Sequence, residues 1–160
     1  MGRDTSACLG FCALHIEQRD ADGTLLALPA DHFIGSGDAY LKTIQKGIDS
    51  LQGATAVVFG ITPTRAETGY GYIQAEKPAA SADPWPVVRF IEKPDAPTAE
   101  RYIASGNFFW NSGMFLWRNR TLLELFRRLM PETYKGLSEL RPLLGKKDGG
   151  VRLGEIFASL

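Results

Sequence analysis

Three short apolar runs, each ended by a proline or glycine, constrain the fold of this chain more than any other feature: TLLAL at 24–28, ATAVVFG at 54–60 and VVRFIEKP at 87–94. A run of that length, rich in β-branched residues, suits a strand covered on both faces, as the strands of a parallel sheet are. Between the first two runs, Tyr40, Leu41, Ile44, Ile48 and Leu51 fall on one helical stripe that Gly53 ends. Strand, helix and strand in that order form a βαβ unit, whose crossover is right-handed. With 160 residues, the chain can bury a core without disulfides or a structural metal. The expected fold class is α/β.

Beyond Gly60 the rhythm changes. The stretch ITPTRAETGYGYIQ mixes turn residues with a strand pattern over residues 70–75, and the prolines of AEKPAASADPWP make that segment a surface excursion. PTAERYIASG reads as a short helix closed by Gly106, and FFWNSGMFLW is too aromatic and too long to be all loop. From Asn119 an amphipathic helix places Leu122, Leu125, Phe126 and Leu129 on one face, and Pro131 opens another helix in its first turn. Near the amino end, Cys8, Phe11, Cys12, His15 and Ile16 recur at helical spacing, with Thr5 or Ser6 as N-cap. Cys8 and Cys12 are then expected as small buried side chains, since nothing downstream completes a zinc site. There is no internal repeat, and no linker long enough to divide the chain.

Lysine and arginine together number 18, as do aspartate and glutamate, so no overall field holds a nucleic-acid backbone. A local basic pocket for a small phosphate stays open. No apolar run approaches the length of a membrane span, and Met1-Gly2-Arg3-Asp4 carries an acid where a secretory leader is basic. A cytoplasmic, reducing location is expected.

Four places carry candidate chemistry. Asp31 follows the carboxyl end of the first strand, where open α/β sheets hold ligands and where a carboxylate suits a hard cation; capping the next turn is the alternative. Glu92 and Lys93 end a strand in the same way. Neighbouring strand residues face opposite sides, so they share a target only if the backbone bends before Pro94; otherwise they form a solvated ion pair. Gly71, in TGYGY, marks a bulge or a close approach of backbone to something else. Asn111 is a polar residue among large aromatics and must find partners if buried. No serine–histidine–acid set and no glycine-rich phosphate loop occurs.

The segments GRDT at 2–5, LALPADHFI at 26–34, FGITPTRAETGYGYI at 59–73, VVRFIEKPD at 87–95 and SGNFFWNSGMFLW at 105–117 resemble, in order and spacing, the mannose-1-phosphate guanylyltransferases. That resemblance implies a Rossmann-like nucleotidyltransferase fold, a mixed, mostly parallel sheet flanked by helices. It implies transfer of a guanylyl group from GTP to mannose 1-phosphate with Mg2+, with release of pyrophosphate. Asp31 would be a magnesium ligand, Gly71 and Asn111 would contact the sugar, Glu92 would hold its hydroxyls, and Lys93 would bind its phosphate. Asp4 and Thr5 would lie near the guanine base, although the family usually has asparagine at the position of Asp4.

The family's domain opens with a strand and a glycine-rich loop, and supplies a second metal-binding aspartate beyond the region matched here. The chain is therefore expected to be a partial nucleotidyltransferase domain over residues 1–160. Three expectations follow. Asp31, Gly71, Glu92, Lys93 and Asn111 should converge on one cleft at the carboxyl ends of the strands. The edge of the strand carrying Leu25, Leu26 and Leu28 should promote self-association. The chain alone should not make GDP-mannose at a useful rate. A related hexose-1-phosphate nucleotidyltransferase, or a non-catalytic remnant that binds sugar phosphate or a partner subunit, are the alternatives.

Overall fold

The computed structural model describes residues 5–77, 84–146 and 150–159. The order of elements is α1 (Thr5–Arg19), β1 (Thr24–Ala27), α2 (Gly37–Ser50), β2 (Val57–Ile61), β3 (Tyr72–Ala75), β4 (Val87–Ile91), α3 (Ala96–Ser105), β5 (Phe108–Arg118), α4 (Asn119–Leu129), α5 (Pro131–Leu140), a 3-10 turn (Arg141–Leu143) and α6 (Gly150–Ser159). The strand path is β1-β5-β3-β4, with β2 also paired to β5. Two compact units result: a central one, Leu28–Phe115, and a terminal one formed by Met1–Ala27 and Leu116–Leu160.

In the central unit β3 pairs antiparallel with both β4 and β5, Tyr72 lying opposite Ile91 on one side and Trp110 on the other. Hence β4 and β5 run the same way, joined through α3, with β3 inserted between them. Strand–helix–strand order is legible in the chain; the insertion is not. It makes this part of the sheet antiparallel where a mostly parallel one is expected, β3 pairing antiparallel with the strand on either side of it. The core here is Tyr72, Ala99, Phe108 and Trp110. Tyr102 stacks on Phe108 with ring centroids 3.9 Å apart.

The ends of α3 are set by its sequence. Asp95 caps its start, accepting from the Thr98 amide at 3.0 Å, and Pro97 lies in its first turn. Gly106, at φ 70°, ends it in the left-handed conformation that glycine adopts freely. β5 alternates over its length, burying Phe108, Trp110, Ser112, Met114 and Leu116. β4 departs from expectation. Val87, Val88, Arg89 and Phe90 are all exposed, since β4 ends the strand path and has β3 beside it.

The terminal unit is helical around Ala13, Leu14, Leu25, Leu122, Leu123, Phe126, Leu137, Leu140 and Leu144. α1 buries Ala7, Gly10, Ala13 and Leu14, while Cys8, Cys12 and His15 are exposed. The expected cysteine face is therefore corrected by part of a turn. Small residues, not bulky ones, mark the contact, because Gly10 lies so close to the Leu137 side chain that a Cβ would collide with it. On α4, Leu129 lies outside the expected buried face and is exposed, and Leu123 is buried instead. Asn119 is fully buried, and its Nδ2 donates to the Ala13 carbonyl at 3.0 Å.

Candidate functional site

The registers of β3 continue past its first residue and create the site. With Tyr72 facing Ile91 and Trp110, the preceding Gly71 falls level with Glu92 and Asn111. The Asn111 amide donates to the Gly71 carbonyl at 2.8 Å. A Cβ built on Gly71 would lie 2.9 Å from Glu92 Oε2 and 3.5 Å from Asn111 Cβ. Only a residue without a side chain leaves the Glu92 carboxylate where it is. Three of the candidate residues thus come together at the carboxyl end of β4. The Asn111 side chain is oriented by its own turn, its Oδ1 accepting from the Gly113 amide at 3.1 Å.

Lys93 joins them through a bend. Its φ of 43° lies in the left-handed region, at a cost of about 1–2 kcal/mol for a residue with a Cβ. Its amide donates to the Tyr70 carbonyl at 3.2 Å. The bend brings Lys93 Nζ to 3.4 Å from Glu92 Oε1, with both side chains largely in solvent. An exposed pair of this kind adds little stability. Strain retained for so little gain is characteristic of ligand-binding positions.

Residues 65–71, which deliver Gly71, are ordered by a carboxylate that the sequence analysis missed. Glu67 Oε2 accepts from Arg65 Nε at 3.2 Å and Nη2 at 3.0 Å, and its Oε1 accepts from the Gly69 amide at 3.1 Å. The Gly69 amide first, and the Arg65 guanidinium after it, hold the Glu67 carboxyl below its ordinary range. The signal was slight: an acid two residues before a glycine in a turn-rich stretch, in the place from which Asp or Asn bonds the backbone two residues on.

Asp31 occupies an exposed turn beyond β1. Pro29 touches the region of β5 that follows Asn111, its Cγ lying 3.2 Å from a Cβ built on Gly113. This contact ties the PADH segment to the WNSG segment, but it is made by Pro29 and not by Asp31 itself. Among the described residues no three histidine, cysteine, aspartate or glutamate side chains cluster to hold a metal ion. Thr5 is the exposed first residue of α1 in the terminal unit, and Asp4 lies outside the described residues. An apolar cleft of about 360 Å³, lined by Gly47, Val57, Phe59, Trp85 and Phe109, includes none of the candidate site residues.

A family model described as nucleotidyl transferase matches residues 1–142. The chain is 43% identical over 138 residues to the mannose-1-phosphate guanylyltransferase RfbM of Salmonella typhimurium, covering 84% of this chain and 28% of that protein. It is 42% identical over 130 residues to the xanthan biosynthesis protein XanB of Xanthomonas campestris, covering 81% of this chain and 27% of that protein. It therefore spans less than a third of the length of these curated relatives. A crystal structure described as a mannose-1-phosphate geranyltransferase from Thermus thermophilus superposes with a TM-score of 0.82 at 33% identity, covering all of this chain and 44% of the other.

Proposed function

The chain belongs to the nucleotidyl transferase family, and on that premise we propose that it forms part of a mannose-1-phosphate guanylyltransferase, which joins GTP and mannose 1-phosphate into GDP-mannose and pyrophosphate. The observation that carries this reading is the convergence of Gly71, Glu92 and Asn111, with Lys93 bent in beside them. The bare α-carbon of Gly71 lets a sugar ring lie against the strand. The Glu92 carboxylate accepts hydrogen bonds from two hydroxyls, and the Asn111 amide group donates to a third oxygen. Lys93 supplies a compact charge for the sugar phosphate. Asp4 and Thr5 are assigned to the base side on resemblance alone, and a cytoplasmic location is proposed as the sequence led us to expect.

In the reaction a phosphate oxygen of mannose 1-phosphate attacks the α-phosphorus of GTP, a new P–O bond forms, and the bond to the leaving pyrophosphate breaks. No protein nucleophile is needed, so the protein's part is to position and to neutralise charge. Glu92 and Asn111 fix the sugar, and Lys93 holds the attacking phosphate against the repulsion of the triphosphate. Asp31 is the residue that would hold magnesium, and a single exposed carboxylate fits an ion that keeps most of its water and binds substrate phosphates. Magnesium, when bound, neutralises phosphate charge.

Self-association is part of the proposal. The sequence placed it at the edge of the strand carrying Leu25, Leu26 and Leu28, of which Leu25 is buried; the exposed apolar residues that support pairing with another chain are instead Val87, Val88 and Phe90 of β4, at the end of the strand path.

Titration of the purified chain with mannose 1-phosphate tests the sugar half, and a pyrophosphate assay with GTP and magnesium tests the reaction. Saturable binding that Glu92→Gln abolishes is the expected result. Binding that ignores both Glu92→Gln and Asn111→Ala would sink the assignment.

A further inference from the structure

The carboxylate of Glu67 has no place in the chemistry just described, yet the backbone around the sugar-phosphate end depends on it. Its two oxygens join Arg65 to the Gly69 amide. Its own backbone is pinned by a side chain from the core. The Glu67 amide donates to the Tyr72 hydroxyl at 3.1 Å, and that hydroxyl donates to the Glu67 carbonyl at 2.9 Å. Tyr72 is completely buried. Arg65 lies over the Trp110 ring, 5.4 Å from its centroid, and Tyr70 meets the same ring edge-on at 5.4 Å. The loop is thus fastened to the core at Tyr72 and Trp110, and closed on itself by Glu67.

What hangs from the closed loop is the site. Tyr70 offers its carbonyl to the Lys93 amide and Gly71 offers its carbonyl to the Asn111 amide. Two consecutive loop carbonyls therefore hold the backbones of both phosphate-side and sugar-side residues.

We infer that Glu67 is a positioning residue for the sugar-phosphate end: by closing the loop onto the Gly69 amide it sets where Gly71, Lys93 and Asn111 stand. This rests on the function proposed above, and the test separates the two. An exposed Arg65–Glu67 pair alone would matter little; the bond to the Gly69 amide is what couples the carboxylate to the site.

The experiment compares the unmodified chain with Glu67→Ala and Glu67→Gln, the latter keeping an oxygen for the Gly69 amide without the charge. Backbone amide shifts are read without ligand, and mannose 1-phosphate is then titrated in. In Glu67→Ala the amides of Gly69, Gly71, Lys93 and Asn111 should move, those of Leu122 and Leu137 should stay, and affinity should fall about tenfold, the scale of one charge-assisted hydrogen bond. Glu67→Gln, whose neutral oxygen still accepts from the Gly69 amide but more weakly, should recover only part of both. If Glu67→Ala does not fold, Glu67→Asp, too short to span Arg65 and Gly69, replaces it with the same expectation. Unmoved amides at Gly71, Lys93 and Asn111, or unchanged affinity, would overturn the inference. Moved amides in a chain that never binds mannose 1-phosphate would leave the loop coupling intact and overturn the proposed sugar instead.

Discussion

The terminal unit buries leucines, phenylalanine and alanine against one another, whereas the central unit buries two aromatics with a polar atom, Tyr72 and Trp110, beside Phe108 and Ala99. The first has its polar exception, Asn119, sealed inside and bonded to backbone. The second leaves Glu92, Lys93, Arg65 and four residues of β4 at its surface and keeps a strained φ at Lys93. One region spends its residues on packing, the other on presenting chemistry. Stability and ligand binding should therefore come apart when each is perturbed.

The strongest break is expected from Leu137→Ala in the terminal unit. Leu137 is fully buried against Gly10, so truncation removes transfer energy and leaves a cavity, about 2–5 kcal/mol of stability. A denaturant melt should show that loss, while mannose 1-phosphate affinity under folding conditions stays within twofold, roughly the scatter between independent sites. Gly71→Ala is the mirror image. Its Cβ would meet the far end of the flexible Glu92 side chain, which can swing away, so the melt should change little. Binding should fall by about tenfold or more, because the methyl occupies the face offered to the sugar and displaces Glu92. A Gly71→Ala chain that binds normally would mean that no ligand lies against this strand.

Lys93→Gly should act with opposite signs on the two properties. Glycine adopts φ 43° without the Cβ penalty, so stability should rise by about 1 kcal/mol, offset in part by the greater freedom of the unfolded chain. Affinity for mannose 1-phosphate should fall, while affinity for unphosphorylated mannose, however weak, should not change. A loss of both would mean that Lys93 shapes the sugar pocket and does not act through the phosphate.

The same contrast explains what could be read from the chain. Short apolar runs and their stops located β1, β2 and β4 to within a few residues, while β5 was read only as a segment too long to be all loop; Gly71, Glu92, Lys93 and Asn111 stood out because each is the wrong residue for a plain strand: a glycine, a charged pair, an amide among aromatics. Which face of α1 is buried was misread, since bulk points to Cys8 and Cys12 while close helix contact selects Ala7, Gly10 and Ala13. The insertion of β3 between β4 and β5 depends on long-range pairing that no local pattern encodes. Glu67 was missed for a related reason: its bond to Gly69 is local, but its importance comes from the Tyr72 and Asn111 contacts that follow from the sheet.

The smallest expected effect separates two carboxylates, one in each unit. Glu67 and Glu124 are both held below the ordinary value of 4.5, Glu67 chiefly by the Gly69 amide and Glu124 chiefly by Arg127. A carboxyl lowered in the folded state stabilises above its unfolded value and loses that contribution as pH falls through its folded value. Glu124 is exposed and Glu67 is only partly buried at the surface, so neither should alter the global melt noticeably. Their local consequences differ. Protonating Glu124 releases a surface arginine on α4, because among the described residues its hydrogen bonds run to Arg127, with Arg128 adding only its charge. Protonating Glu67 weakens the bond that closes the loop, so the amides of Gly69, Gly71 and Lys93 should titrate together, with a midpoint below 4.5. The Glu67→Gln chain should lack that titration while its Glu124 signal persists. A midpoint at or above 4.5, or movement of Gly69 alone without Gly71 and Lys93, would show that the carboxylate binds its neighbour without holding the site.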